Sequence, residues 1–370
     1  MQVVPIDVTD EVRLRALFDV SHAVHLHDWP DDPGWQLHEI RALLRGADGA
    51  SRSFAFGVEP GDAVAGNLGT GDLAAAGVVS ISTRDNFHIA EVQFLGVLPA
   101  HRRAGAGALL LGALEDVARR AGRTVLAAHS EEPVGGFDQA PAAAASPVQG
   151  FALANGFAPV QTHERRDLDV PVEDGLLSLL EAACAPHAFG YSILGWQGRC
   201  PAELVEDRIL LGHRMSTDAP TGDSARGEEV WDKARLDGRE DLFEKMDRTV
   251  LVAGALDLAS GRLVAFSELT IPNQAPERAY QWDTLVLKEH RGHRLGTLLK
   301  VANLRTLAEV SPATRRISTE NASDNTAMIA VNDLLGHKVV ARRTTWEKHL
   351  DMAADHAAGS ATDLPAGSHG

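Results

Sequence analysis

Cysteine is scarce: Cys184 and Cys200 are the only two in 370 residues. Two thiols cannot frame a disulfide scaffold or a four-sulfur zinc site. Long apolar runs are missing too. No window approaches eighteen uninterrupted apolar residues, so no helical membrane span is expected. The N-terminus carries early acids and no apolar signal-peptide core, which places the expected location in the cytoplasm. Basic charge is in deficit, with 35 Lys and Arg against 51 Asp and Glu and a formal net charge of −16. A phosphate backbone needs a basic face, so nucleic acid is not an expected partner. The acidity suits a cationic small acceptor, and also plain solubility. Neither G-x-x-x-x-G-K-[ST] nor an early G-x-G-x-x-G occurs, which argues against P-loop and Rossmann domains. The segment from His22 to Pro33 gathers three histidines and three aspartates. Its spacing matches no tight ligand template and its prolines read as a loop, so no metal is expected.

What is present is a globular composition, 44% apolar and 23% charged, at a length that suits two domains. The most informative stretch runs from Tyr280 to Glu309. A β-branched apolar run (Trp282 to Leu287) meets the basic turn Arg291-Gly292-His293-Arg294-Leu295-Gly296, and Thr297 to Ala308 then recurs apolar at helical spacing. Strand, tight loop and helix aim free backbone N–H groups and the helix dipole at one spot, which favours a phosphate. The same arrangement occurs earlier: strand His88 to Leu98, loop Arg102-Arg103-Ala104-Gly105-Ala106-Gly107, helix from Ala108. The Arg102–Arg291 and Gly156–Gly336 separations agree to within loop-length variation, so the chain reads as a domain duplication.

The R-x-x-[GR]-x-G loop resembles the pyrophosphate loop of the GNAT acyltransferase superfamily. Asn325 to His337 resembles its second signature, N-x-x-[AS]-x-x-[LF]-Y-x-x-x-G-F, with Asn332 at the tyrosine and His337 at the phenylalanine. The resemblance implies an α/β class with a mixed α+β sheet in each of two tandem domains. They are expected at 1–170 and 189–352, with a linker at 171–188 and a disordered tail at 353–370. It implies acetyl-CoA, or another acyl-CoA, as cosubstrate. The amine of a small molecule would attack directly in a ternary complex, on a monomer or homodimer. A bulged fourth strand would part from the fifth to admit the pantetheine arm. The arm would be bound by the backbone of Leu285, Val286 and Leu287 and by Asn325, and the diphosphate by Arg291 to Thr297. A second possible cofactor site comprises Val97, Arg102, Arg103, Ala104, Gly105, Ala106 and Gly107.

The superfamily's frequent glutamate base, eleven positions before the loop arginine, falls on Glu91 in the first half and on Tyr280 in the second. In the second half Asp283 and Glu268 are the candidate bases, each with the alternative of a structural hydrogen-bonding role. Asn332 stands at the thiolate-side position; in the first half Ala152 stands there, and Ala145 replaces the motif's opening asparagine. Catalysis is therefore expected in the second half, with the first expected to be degenerate, a division resembling the architecture of the mycothiol synthases. Two alternatives stay open: a non-catalytic acyl-CoA sensor, and the same fold with a different acyl donor.

Overall fold

The computed structural model describes residues 1–46, 49–60, 73–134, 146–218 and 220–352. The glycine-rich turn read at 61–71, Ala145 with most of the low-complexity stretch before it, and the tail at 353–370 lie outside these residues.

The first half runs β1 (Gln2–Ile6), α1 (Glu11–Asp28), α2 (Leu37–Leu44), β2 (Ser51–Glu59), β3 (Ala75–Ser82), β4 (Ile89–Val97), α3 (Ala106–Arg120), β5 (Val125–Pro133), α4 (Pro147–Ala154) and β6 (Ala158–Asp169). Helix α5 (Asp174–Cys184) joins it to β7 (Tyr191–Gln197), α6 (Val205–Asp218), α7 (Lys233–Lys245), β8 (Arg248–Asp257) and β9 (Leu263–Pro272). Then come β10 (Arg278–Val286), α8 (Leu295–Val310), β11 (Arg316–Ala322), α9 (Thr326–Leu335) and β12 (Lys338–His349). Asp10 caps α1 by accepting from Val12 and Arg13 N–H, while Thr9 bonds to Asp7. The helix continues to Asp28, so His22, His25 and Asp28 lie on it rather than on the expected loop. Residues 220–232 form an irregular strap ahead of α7.

The described strands make one mixed sheet, ordered β1-β2-β3-β4-β5-β12-β6-β11-β10-β9-β8-β7. The last strand of each half is exchanged. β12 pairs antiparallel with β5, β6 pairs antiparallel with β11, and the two exchanged strands pair with each other at the centre. The division expected near residue 170 is therefore not a division in the sheet. The cores follow the exchange. Trp346 and Leu350 pack with Phe54, Leu114 and Leu126 of the first half, and Leu168 packs with Leu251, Leu269 and Val301 of the second.

Both halves carry the expected parting. β4 pairs with β5 only from Ile89 to Val92, and a register shift against β3 at Val78/Val79 leaves Gln93 as the extra residue. β10 pairs with β11 only from Arg278 to Gln281, with a register shift between Gln281 and Thr284. One inserted residue kinks the strand and raises its local twist, so its second part leaves the neighbouring parallel strand. Phe94 to Val97 and Thr284 to Val286 keep sheet partners on one side only.

Candidate active site

The two loops beside the partings are near copies. Arg102 Nε donates to Val97 O at 3.1 Å, and Arg291 Nε donates to Val286 O at 3.1 Å. Each arginine thus ties its loop to the strand end. Helix α3 begins after Gly105 at φ 89°, and α8 begins after Arg294 at φ 56°. A left-handed residue there turns the first-turn N–H groups towards the parting, and glycine adopts it without the strain a side chain adds. At the preceding pair of positions Arg103 (φ 61°) and Gly292 (φ 86°) reverse the choice.

The loops differ in what they touch. Asp218, the last residue of α6, is buried against Arg291 (3.0 Å) and Lys288 (3.2 Å). Its counterpart Asp28, the last residue of α1, stands 3.9 Å from Arg102. His293 is drawn into a hydrogen bond with His187 O at 2.8 Å. In the second loop Arg291 and His293 are therefore already paired, while Arg294, like Arg103 to Gly105, is exposed. Asn325 caps α9, its Oδ1 accepting from Met328 N–H at 3.2 Å.

The second half's candidate catalytic residues are not placed as expected. Glu268 is buried between Arg208 (3.2 Å) and Arg239 (2.5 Å), and Arg239 also meets Asp283 at 3.0 Å. Burial raises the Glu268 pKa, but Arg239 and Arg208 outweigh it and hold the carboxyl below its usual range. A carboxylate buried between two guanidiniums has no room to meet an amine. The cavity beside it measures only about 40 Å³. Tyr280, at the position of the expected glutamate, is pushed up to about 12 by burial. Asn332 is fully buried, accepting from Lys300 Nζ at 2.7 Å and donating to Asn321 at 2.6 Å. Asn303 of α8 donates to Ser267 O of β9 at 2.9 Å. These bonds tie α8 to both sides of the second parting, where α3 of the first half presents the buried Leu111 and Leu114. Burial pushes the Lys300 ammonium down to about 7. Glu268→Gln is accordingly expected to lower stability by about 3–5 kcal/mol in urea melts, by leaving two buried guanidiniums short of an anion. Turnover per folded molecule should be unchanged.

The first half holds a different arrangement. A cavity of about 670 Å³ opens between α1, α2, β3, β4 and the strap, with Glu91 on its wall. Glu91 lies on β4 two residues before the bulged Gln93. Its Oε1 is 3.2 Å from His129 Nε2 on β5, and its Oε2 accepts from Arg226 Nη2 at 3.0 Å. Thr345 of the exchanged strand β12 holds the other ring nitrogen of His129 at 3.2 Å. Burial raises the Glu91 pKa, but the His129 hydrogen bond and the Arg226 charge bring it down to about 2. The site is thus an ionised carboxylate, an imidazole and a guanidinium drawn from β4, β5 and the strap. Sequence reading singled out Glu91 but not His129 or Arg226. His129 could have been found from β4–β5 pairing; Arg226, 135 residues away, had no local signal.

Comparison with known proteins agrees with this geometry. The pattern of the acetyltransferase (GNAT) family matches residues 14–134 and again 218–336. Among curated proteins none matches. The chain is similar to the solved structure of a tandem GNAT protein from the clavulanic acid biosynthesis pathway, at 26% identity and a TM-score of 0.73, covering 94% of this chain and 98% of that one. It is similar in fold to a GCN5-related glucosamine N-acetyltransferase region of a fungal multi-domain GH3 β-N-acetylglucosaminidase (14%, TM-score 0.62, 93% and 38% covered). A GCN5-related N-acetyltransferase from Sphaerobacter thermophilus shares the fold as well (13%, TM-score 0.57, 94% and 95% covered). Two matched segments, two parted sheets and two glycine-bearing loops lead to one assignment: the chain belongs to the acetyltransferase (GNAT) family and carries the domain in tandem.

Proposed function

We propose that the chain is an acyl-CoA-dependent N-acyltransferase acting on the amine of a small molecule, and that its first half carries the reaction. The observation behind this reading is the position of Glu91, on the wall of a cavity of about 670 Å³ and at the edge of a parting. The residues present fit the cosubstrate. The N–H groups of Ala104 to Gly107 would hold the diphosphate, and the one-sided backbone of Phe94 to Val97 would bind the pantetheine arm. The corresponding groups of Leu285 to Leu287, Arg291 to Thr297 and Asn325 would form a second, weaker site. The acceptor ammonium meets Glu91, and its proton leaves through the Glu91–His129 pair. The free amine attacks the thioester carbonyl: a C–N bond forms, the C–S bond breaks, and the thiolate leaves to be protonated from solvent. A backbone N–H of the parted strand is the available donor for the developing oxyanion.

A matched pair of loop variants tests which half works. Nothing lies within 4 Å of a Cβ built at Gly105, and Arg294 shows that the position tolerates a side chain. Gly105→Glu puts a negative charge at the first diphosphate site and is expected to remove acyl-CoA binding in calorimetry and amine-dependent CoA release. Arg294→Glu should leave CoA release within about twofold, since on this reading its loop serves only the second, weaker site. Release that survives Gly105→Glu and is lost in Arg294→Glu returns catalysis to the second half.

A further inference from the structure

Arg226 belongs to the second half, yet its guanidinium stands on the first half's Glu91. The strap that carries it is pinned to the first half by its backbone. Ala225 N–H donates to Glu347 (2.9 Å), Ala225 O pairs with His88 (2.8 Å), Gly227 N–H donates to Asn86 (2.7 Å) and Val230 N–H to Asp85 (2.9 Å). The side chain is held less firmly. It is 41% exposed, and beyond Glu91 its other anionic neighbour is Glu229 at 3.9 Å. With His129 on one carboxylate oxygen and Arg226 on the other, Glu91 has no oxygen left without a partner. Each oxygen keeps a second lone pair, but an ammonium seated on Glu91 would stand beside the Arg226 guanidinium, and the like-charge repulsion favours the departure of Arg226. The His129 bond joins two neighbouring strands, whereas Arg226 can swing to Glu229 without moving the strap's backbone.

Resting on the first-half reading above, we infer that Arg226 occupies the seat of the acceptor's ammonium and is displaced by it, so the second half gates the first. The rest of the wall suits the exchange. It carries four more carboxylates, Asp28, Asp85, Glu131 and Glu229, against one more guanidinium, Arg235. Arg235 is itself paired with Asp85 and, at 3.1 Å, with Glu229. Both guanidiniums on the wall are thus committed to wall carboxylates, and neither is left to receive an acidic group of the acceptor. The acceptor class is an alkylammonium without a carboxylate or phosphate.

The test uses the full-length protein, acetyl-CoA, and butylamine, 1,4-diaminobutane or 4-aminobutyrate, with CoA release followed from pH 6 to 9. For the wild type the two plain amines should give at least a tenfold higher kcat/KM than 4-aminobutyrate. Arg226→Ala should lower KM for butylamine several-fold, with kcat within about twofold. Arg226→Lys, which keeps a cation on Glu91, should restore the wild-type KM. A lower kcat in Arg226→Ala at unchanged KM, rescued by lysine, makes Arg226 an orienting residue and overturns the gate. A preference for 4-aminobutyrate, or a raised KM for it alone in Arg226→Ala, overturns the acceptor class while leaving the transferase intact. No CoA release with any amine, although acetyl-CoA binds in calorimetry, defeats the transferase reading and the gate with it.

Discussion

Replacing Glu91 by glutamine lowers kcat/KM for an amine acceptor by about 10²- to 10³-fold, the range expected when a positioned proton acceptor is lost. The amide keeps the size and the His129 contact of the carboxylate but not its charge, so ammonium binding and deprotonation both suffer. The effect should appear in kcat at saturating amine as well as in KM. Acyl-CoA affinity should not change, because the diphosphate loop lies at the far end of β4. The same substitution has a stability signature with a definite sign. The folded carboxyl sits near 2 against an ordinary 4.5, so its ionised form stabilises the fold. That contribution is complete above about pH 4.5 and is lost as the pH falls towards 2. Glu91→Gln should therefore melt closer to the wild type at pH 3 than at pH 7. A rate loss of less than fivefold, with the melting behaviour as stated, would leave Glu91 a structural ion and nothing more.

The second large effect is expected at Trp346, which is 5% exposed. Its ring belongs to the first half's core, and its Nε1 donates to Ser130 Oγ at 2.9 Å. Trp346→Ala removes that ring and leaves the hydroxyl unpartnered, at a cost of about 3–5 kcal/mol. Against a total stability of roughly 5–15 kcal/mol this is a large share. The location of the loss is the sharper expectation. Amide exchange should quicken in β4 and β5, more than 200 residues upstream, before it does in β8 and β9. Exchange that quickens first in the second half would contradict the strand exchange.

The two loops and the duplicated order of elements were legible in the sequence because each is a local signal, and the family and the partings followed from the resemblance those motifs carry. A glycine or a tolerated αL residue opens each helix, and a fixed spacing separates strand, loop and helix. The proposed division of labour was not legible. Motif matching favoured the second half, because Asn325 and Gly336 stand where the pattern wants them. The proposed reversal of that weighting rests on packing. Glu268 and Asp283 meet Arg239 of α7, Asn332 meets Lys300, and of these candidates only Glu91 lines the cavity of about 670 Å³. These partners lie far apart in the chain and leave no trace in local spacing. The exchanged strands were hidden for a related reason. The residue patterns of β6 and β12 do not say which half's edge each completes.

The exchange also bears on synthesis. The edge of β5 that receives β12 is made about 200 residues before its partner. At roughly 5–20 residues per second, a ribosome leaves that edge waiting for some 10–40 s. An open edge is a template for the wrong neighbour, including β5 of another nascent chain. On that account crowding of ribosomes on one messenger, rather than heat, is the condition under which this protein should be most prone to aggregate.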